Sequence, residues 1–245
     1  FHTAPGAFTK TNPVNLATGQ LTSGLQLQWD ASSGATSYEF CYSSSGASCP
    51  GSWTPVGGNT TVSLGSLTPG AIYYWQVRAV YTSGYTYANN STWWSFYTAP
   101  AAFSKTSPTN GASGQATSFN LTWGASTGAT SYEYCYDTIN DTTCNGTGTW
   151  TSTPSNGVSI TGLTFGSTYY WQVRAVYQGG YTDANSGSWW TFSTVPGSFN
   201  KTSPTNLINA QPTSLTLQWE TSLNATSYEY CFDTSDDDNC SGWTS

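Results

Sequence analysis

Charge is what this sequence lacks most. Only 7% of its 245 residues are Asp, Glu, Lys or Arg, against about a quarter in ordinary soluble domains. Five residues are basic and the formal net charge is −7. Gripping a phosphate backbone takes clustered Lys and Arg, so nucleic acid is excluded as a partner. Methionine is missing altogether and His2 is the single histidine. A repeated histidine base or a histidine-bearing metal shell therefore cannot be assembled. No run approaches the roughly 18 apolar residues that suggest a membrane span. A basic-then-apolar leader is missing too. The start is expected either to have been processed away or to lie inside a longer chain.

Aromatics are abundant instead, with 12 Trp, 17 Tyr and 10 Phe, and serine and threonine reach 35 and 41. Such a chain is polar without being charged, and it carries enough apolar surface to build cores. Its six cysteines fall into three short-spaced pairs: Cys41 with Cys49, Cys135 with Cys144, and Cys231 with Cys240. Two sulfurs without further soft ligands do not complete a zinc tetrahedron, so disulfides and an extracellular address are expected. Nucleophilic chemistry at these thiols would need a basic neighbour to lower the pKa. The glutamate two residues before each first cysteine acts the other way.

Periodicity organises everything else. Trp29, Trp123 and Trp219 lie 94 and 96 residues apart, as do Cys41, Cys135 and Cys231. "YYWQVRAVY" occurs at Tyr73–Tyr81 and again at Tyr169–Tyr177. A period this long marks a small domain rather than a solenoid unit. Expected divisions are residues 1–5, the last strand of a preceding repeat; 6–100 and 101–196, two full repeats; and 197–245, the first half of a further one. The joints, "AA" and "GS", are too short for a flexible linker. A strand at Phe1–Pro5 that fills the gap in a neighbouring molecule is an alternative to simple continuation.

Within each repeat, apolar residues alternate with period two. "SLTLQW" turns Leu215, Leu217 and Trp219 to one face. "SYEYCYD" turns Tyr132, Tyr134 and Tyr136 inward and Cys135 outward. In "YYWQVRAV" the set Tyr169, Trp171, Val173 and Ala175 opposes Tyr170, Gln172 and Arg174. No stretch keeps a helical period, so the fold class is all-β, a tandem of β-sandwiches. "LTPGAIYYWQVRAV" and "LTFGSTYYWQVRAV" resemble the corner between the fifth and sixth strands of fibronectin type III domains. The tryptophan of "LQW" or "LTW" and the strand "SYEYCY" are similar to further parts of that family's pattern. The resemblance covers both full repeats and half of the third, and it is nearest to repeats of bacterial surface and secreted proteins. It implies corner tyrosines at Tyr73 and Tyr169, bonded back to the upstream turn. The cysteine pair departs from the family pattern and is expected to pin the hairpin that follows the strand "SYEYCY". Phe165, standing where the first repeat has Pro69, suggests a laxer corner.

Few residues qualify for interaction. Trp93 and Trp189 should fall on the outer face beside Tyr74, Arg78, Tyr170 and Arg174. That strip either shields its own domain, meets a neighbouring chain, or stacks on sugars. Glu39 with Arg78, and Glu133 with Arg174, are expected to pair across strands. Lys10, Lys105 and Lys201 share one repeat position, "KTNP" or "KTSP", which suggests an exposed strand start. A lysine–asparagine isopeptide there is the less favoured reading. Nine Asn-x-Ser/Thr triplets occur, of which Asn59, Asn90, Asn120, Asn140, Asn145, Asn200 and Asn224 are candidate glycan acceptors. "DDDNC" at the chain's end is expected to be a solvated loop rather than a calcium site. No cofactor and no catalytic set is implied. The expected function is a non-enzymatic segment of an extracellular filament, stalk or fibre that associates with neighbouring copies. An adhesin or carbohydrate-binding array, or the spacer of a secreted enzyme, is the alternative.

Overall fold

The computed structural model describes residues 4–82, 84–144, 149–235, 240 and 242–245. In the first repeat the strands are β1 (Lys10–Asn12), β2 (Ala17–Gln20), β3 (Gln26–Trp29), β4 (Ser37–Ser43), β5 (Thr54–Gly57), β6 (Thr61–Ser63), β7 (Ile72–Tyr81), β8 (Gly84–Tyr87) and β9 (Trp94–Thr98). One sheet runs β1-β3-β6; the other runs β2-β9-β7-β4-β5, with β8 paired to the far end of β7. The second repeat repeats this plan with β10 (Lys105–Ser107), β11 (Ala112–Gln115), β12 (Phe119–Trp123), β13 (Ser131–Asp137), β14 (Thr151–Thr153), β15 (Gly157–Ile160), β16 (Thr168–Tyr177), β17 (Gly180–Asp183) and β18 (Trp190–Thr194). Two sheets per repeat, antiparallel but for the parallel edge strands β2 and β11, face each other across an aromatic core and make the expected all-β sandwich.

Alternation along the strands builds that core. Trp75, Val77 and Ala79 on β7 are fully buried, as are Trp171, Val173 and Ala175 on β16. Tyr73 and Tyr169 stack on Phe96 and Phe192 at 5.6 and 5.3 Å between ring centres. Both corner tyrosines work alike. The Thr68 N–H donates to the Tyr73 hydroxyl at 2.9 Å, and that of Thr164 to Tyr169 at 3.0 Å. Phe165 therefore does not loosen its corner, because the tyrosine bond fixes the turn whichever residue fills it. The first tyrosine of "TSYE" has a matching task, accepting the N–H of Ser32, Ser126 or Ser222 and closing the turn before its strand.

Asparagine sets the break in the last strand. Between β8 and β9, Asn89 and Asn90 both take φ of 51°, a left-handed conformation that asparagine tolerates better than most residues. The Asn89 side chain then accepts the Lys10 backbone N–H at 2.9 Å, tying the first strand to the last. Asn185 does the same for Lys105.

Consecutive repeats meet through their turns. Gly70 lies so close to Gly128 that a Cβ on either would overlap backbone of the other turn. At the next joint Gly166 abuts Asn224, 96 positions on from both. The Gly19 N–H also donates to the Tyr177 hydroxyl at 2.8 Å across the first joint. In the third copy β19 (Lys201–Ser203) pairs with β20 (Gln218–Trp219), and Tyr230 bridges Thr244. Its apolar residues lie open, with Leu207 90% and Phe232 79% exposed.

Candidate functional site

Two side-chain assemblies recur in both complete repeats. The first covers the outer face of the larger sheet. Glu133 on β13 sits opposite Arg174 on β16, and Arg174 opposite Asp183 on β17. Nη2 and Nε of Arg174 both donate to Oε2 of Glu133 at 2.7 Å. The guanidinium lies 4.0 Å from the Trp150 ring centre and 4.2 Å from that of Tyr181. Trp189 completes the stack edge-on to Trp150. In the first repeat Arg78 pairs with Glu39 and lies 4.4 Å from Trp53 and 3.6 Å from Tyr85.

The expected strip is thus rearranged. Arg78 and Arg174 are at its centre, but their aromatic partners come from "GSWTP", "GTWTS" and the β8 and β17 hairpins. Trp93 is half-buried, and Trp189 reaches the cation only through Trp150. Tyr74 and Tyr170, also half-buried, are not the rings that cover it. Trp53 and Trp150 had a visible signal, since a tryptophan follows the second cysteine in all three copies, the third being Trp243. A flat cation between two rings combines cation–π attraction with an ion pair. Replacing Arg174 by Lys keeps the charge and removes the plane, and is expected to cost about 1 kcal/mol. A lowered urea midpoint with altered Trp150 fluorescence checks this.

The second assembly overturns an expectation. Lys10 and Lys105 are not exposed strand starts; they are 2% and 3% exposed, inside the sandwich. Their backbones begin β1 and β10, but the side chains turn inward under the last strand. Lys10 Nζ donates to Gln76 Oε1 at 2.9 Å and to the Thr92 carbonyl at 2.6 Å, with the Trp75 and Trp94 rings 5.5 and 5.4 Å away. Lys105 Nζ donates to Gln172 Oε1 and to the Ser188 carbonyl, both at 2.6 Å, with Trp171 and Trp190 each at 5.4 Å. Burial pushes both lysines down to about 7. Gln76 and Gln172, read as outward-facing, are each 1% exposed, because the lysine and the strand break cover them. The asparagines serve the lysine backbones and not Nζ, so the geometry does not support the lysine–asparagine pairing. Lys201, at the same position in the third copy, is exposed.

The cysteines form the three bridges of the sequence pairs, with Cα separations of 5.8, 6.3 and 6.5 Å. Cys135 does leave the core face, yet it is 1% exposed, since its sheet face is covered as well. Cys231, Asp233 and Cys240 hold their ligand atoms within 4.8 Å of one another, but both sulfurs are spent in a disulfide. The carboxylates of "DDDNC", like Asn145 and His2, lie outside the described residues. No helix among the described residues is long and apolar enough to cross a membrane.

No protein-family model matches the sequence, and no curated protein does. Among solved structures the chain is similar to the FN1–FN3 domains of chicken CNTN1, at 11% identity and a TM-score of 0.32, covering 81% of this chain and 71% of that one. A two-domain fibronectin type III segment of chicken tenascin is similar at 15% identity and a TM-score of 0.44, covering 77% of this chain and 97% of the other. The strand order and the corner tyrosines carry the point independently. The repeats are fibronectin type III-like.

Proposed function

We propose that the chain is a segment of an extracellular filament, stalk or matrix fibre, with sandwich repeats at 6–100 and 101–196 joined end to end. The recurring joint is the observation that carries this reading. Gly70 against Gly128, and Gly166 against Asn224, place the same two turns in contact at both junctions. The Asn224 Nδ2–H also donates to the Phe165 carbonyl at 2.6 Å. A linker without slack and a turn-to-turn contact suit a load-bearing string better than independent domains. One disulfide per repeat suits life outside the cell. Electron microscopy of native material is expected to show ordered fibres with a repeat of one or two domains; strictly monomeric particles would sink the proposal.

The joint can be tested alone. Gly128→Val places a Cβ 2.3 Å from the Pro69 carbonyl oxygen, at a φ of +89°. Valine tolerates neither, so X-ray scattering is expected to show a broader range of interdomain angles. An unchanged profile would mean that the joint does not hold the repeats. Asn90, Asn120 and Asn140 are exposed and suit glycan attachment, whereas the amides of the exposed Asn59 and Asn200 donate to the Val56 carbonyl and to Glu220. Asn224 already spends its amide in the joint. A carbohydrate-binding reading draws on Tyr85 and Tyr181, 47% and 55% exposed above the arginines. A glycan array with Tyr181→Ala as control tests it; unchanged binding, or none, removes it.

A further inference from the structure

The buried lysines call for an explanation that stability does not provide. Without the ammonium, Gln172 still accepts the Val173 N–H at 2.9 Å and still donates to the Ser188 carbonyl at 3.1 Å. A hydrocarbon of similar length would fill the space and leave no polar group stranded, so the charge is a cost that the network does not require. What the lysine adds is an amine held against a primary amide, 2.6 Å from its oxygen, in a box closed by two tryptophans. Water is kept out, and burial leaves a large share of the amine unprotonated near neutral pH.

We propose that Lys105 and Gln172 become joined by an intramolecular isopeptide bond. The Nζ lone pair attacks Gln172 Cδ, forming the C–N bond. The Cδ–Nε2 bond breaks, one amine proton passes to Nε2, and ammonia leaves; nothing is oxidised or reduced. The product suits the site better than the reactants. Its single amide N–H keeps the bond to the Ser188 carbonyl and its oxygen keeps the Val173 N–H; the 3.3 Å bond from Nε2 to the Ala184 carbonyl is given up, and the buried charge is gone. Holding the two groups together supplies the entropy that separate molecules would lose.

The second repeat is favoured over the first because of Asp183. This carboxyl stands on β17 in register with Arg174, two residues along β16 from Gln172, and burial raises its pKa against the opposing charges of Arg174 and Lys105. A carboxyl that retains its proton longer can pass it to the departing nitrogen. The matching residue in the first repeat is Tyr87.

Mass spectrometry of the purified chain, reduced and denatured, decides the matter. The expected mass is one ammonia below the sequence value, with a digest peptide linking Lys105 to Gln172. The linked peptide separates this from a succinimide formed at an asparagine. Lys105→Met, which keeps the Gln172 network, is expected to remove the link. Conversion should speed up as pH rises between about 6 and 8, where the amine loses its proton, and Asp183→Asn should slow it and change that profile. Free Lys105 and Gln172 recovered in full after prolonged incubation at about pH 8 would overturn the proposal.

Discussion

Lys10→Met is expected to stabilise the first repeat at neutral and acidic pH and to flatten its dependence on pH. Lys10 has an ordinary pKa of 10.5 in the unfolded chain and is lowered to about 7 by burial in the fold. Below about 7 both states hold the proton, and the cost of the buried ammonium is fully present. Between about 7 and 10.5 the unfolded chain binds more protons, so stability rises with pH through that window. Above it the penalty is gone. At about 1.4 kcal/mol per pKa unit the ceiling is about 5 kcal/mol. The Gln76 and Thr92 oxygens and the two indole faces favour the ammonium and reduce this to a few kcal/mol. Methionine loses little packing, and Gln76 keeps the Val77 N–H and the Thr92 carbonyl. Hydrogen exchange of the β7 amides, measured across the window in both proteins, reads the effect. Parallel pH profiles would show that Lys10 is not the titrating group.

How much of this could be read from sequence depends on the kind of pattern involved. Period-two alternation told the core face of "YYWQVRAV" correctly, because Trp171, Val173 and Ala175 are apolar and have one stable place. The ion pairs Glu39–Arg78 and Glu133–Arg174 followed from the same alternation, since residues opposite one another on paired strands must meet. Alternation failed for the opposite face, where it assumes that outward means wet. Cys135 and Gln172 both point away from the first core, yet a disulfide hairpin and a broken last strand cover them. The lysines were misread for a related reason. A lysine in "KTSP" is normally solvated, and only the distant Asn89 or Asn185, through a left-handed turn, carries its strand beneath the final one. Trp53 and Trp150 were missed because their meaning is not periodic: each lies just outside a strand and acts through an arginine more than 20 residues away.

The arginine stack and the lysine box share one logic. A sequence with so few charges has placed four of its five cations where aromatic rings surround them, and both complete repeats do it identically. Rings of this kind stabilise a cation without a second carboxylate, and each arginine forms its ion pair with a single glutamate. The stacks centre on Arg78 and Arg174, and the boxes enclose Gln76 and Gln172 two residues earlier on the same strands. In the third copy, where no counterparts of β7 and β9 are among the described residues, Lys201 and Trp243 are both exposed.

Trp171 forms one wall of the lysine box, and Trp171→Ala is expected to cost the second repeat about 3–5 kcal/mol. The side chain is fully buried. It packs edge-to-face on Trp190 at 6.1 Å, beneath the Lys105 amine. Alanine would leave a cavity the size of most of an indole and withdraw one of two rings from a buried amine. The indole Nε1 has no hydrogen-bond partner, so the loss is one of packing and π-contact alone. Trp171→Phe should therefore recover more than half of the stability, since it restores a ring without stranding an acceptor. Trp189→Ala, on the half-buried outer face, should cost less than either. Urea unfolding of the three variants gives the order directly. A loss in Trp171→Phe equal to that in Trp171→Ala would show that the indole nitrogen matters after all, through a partner such as a buried water.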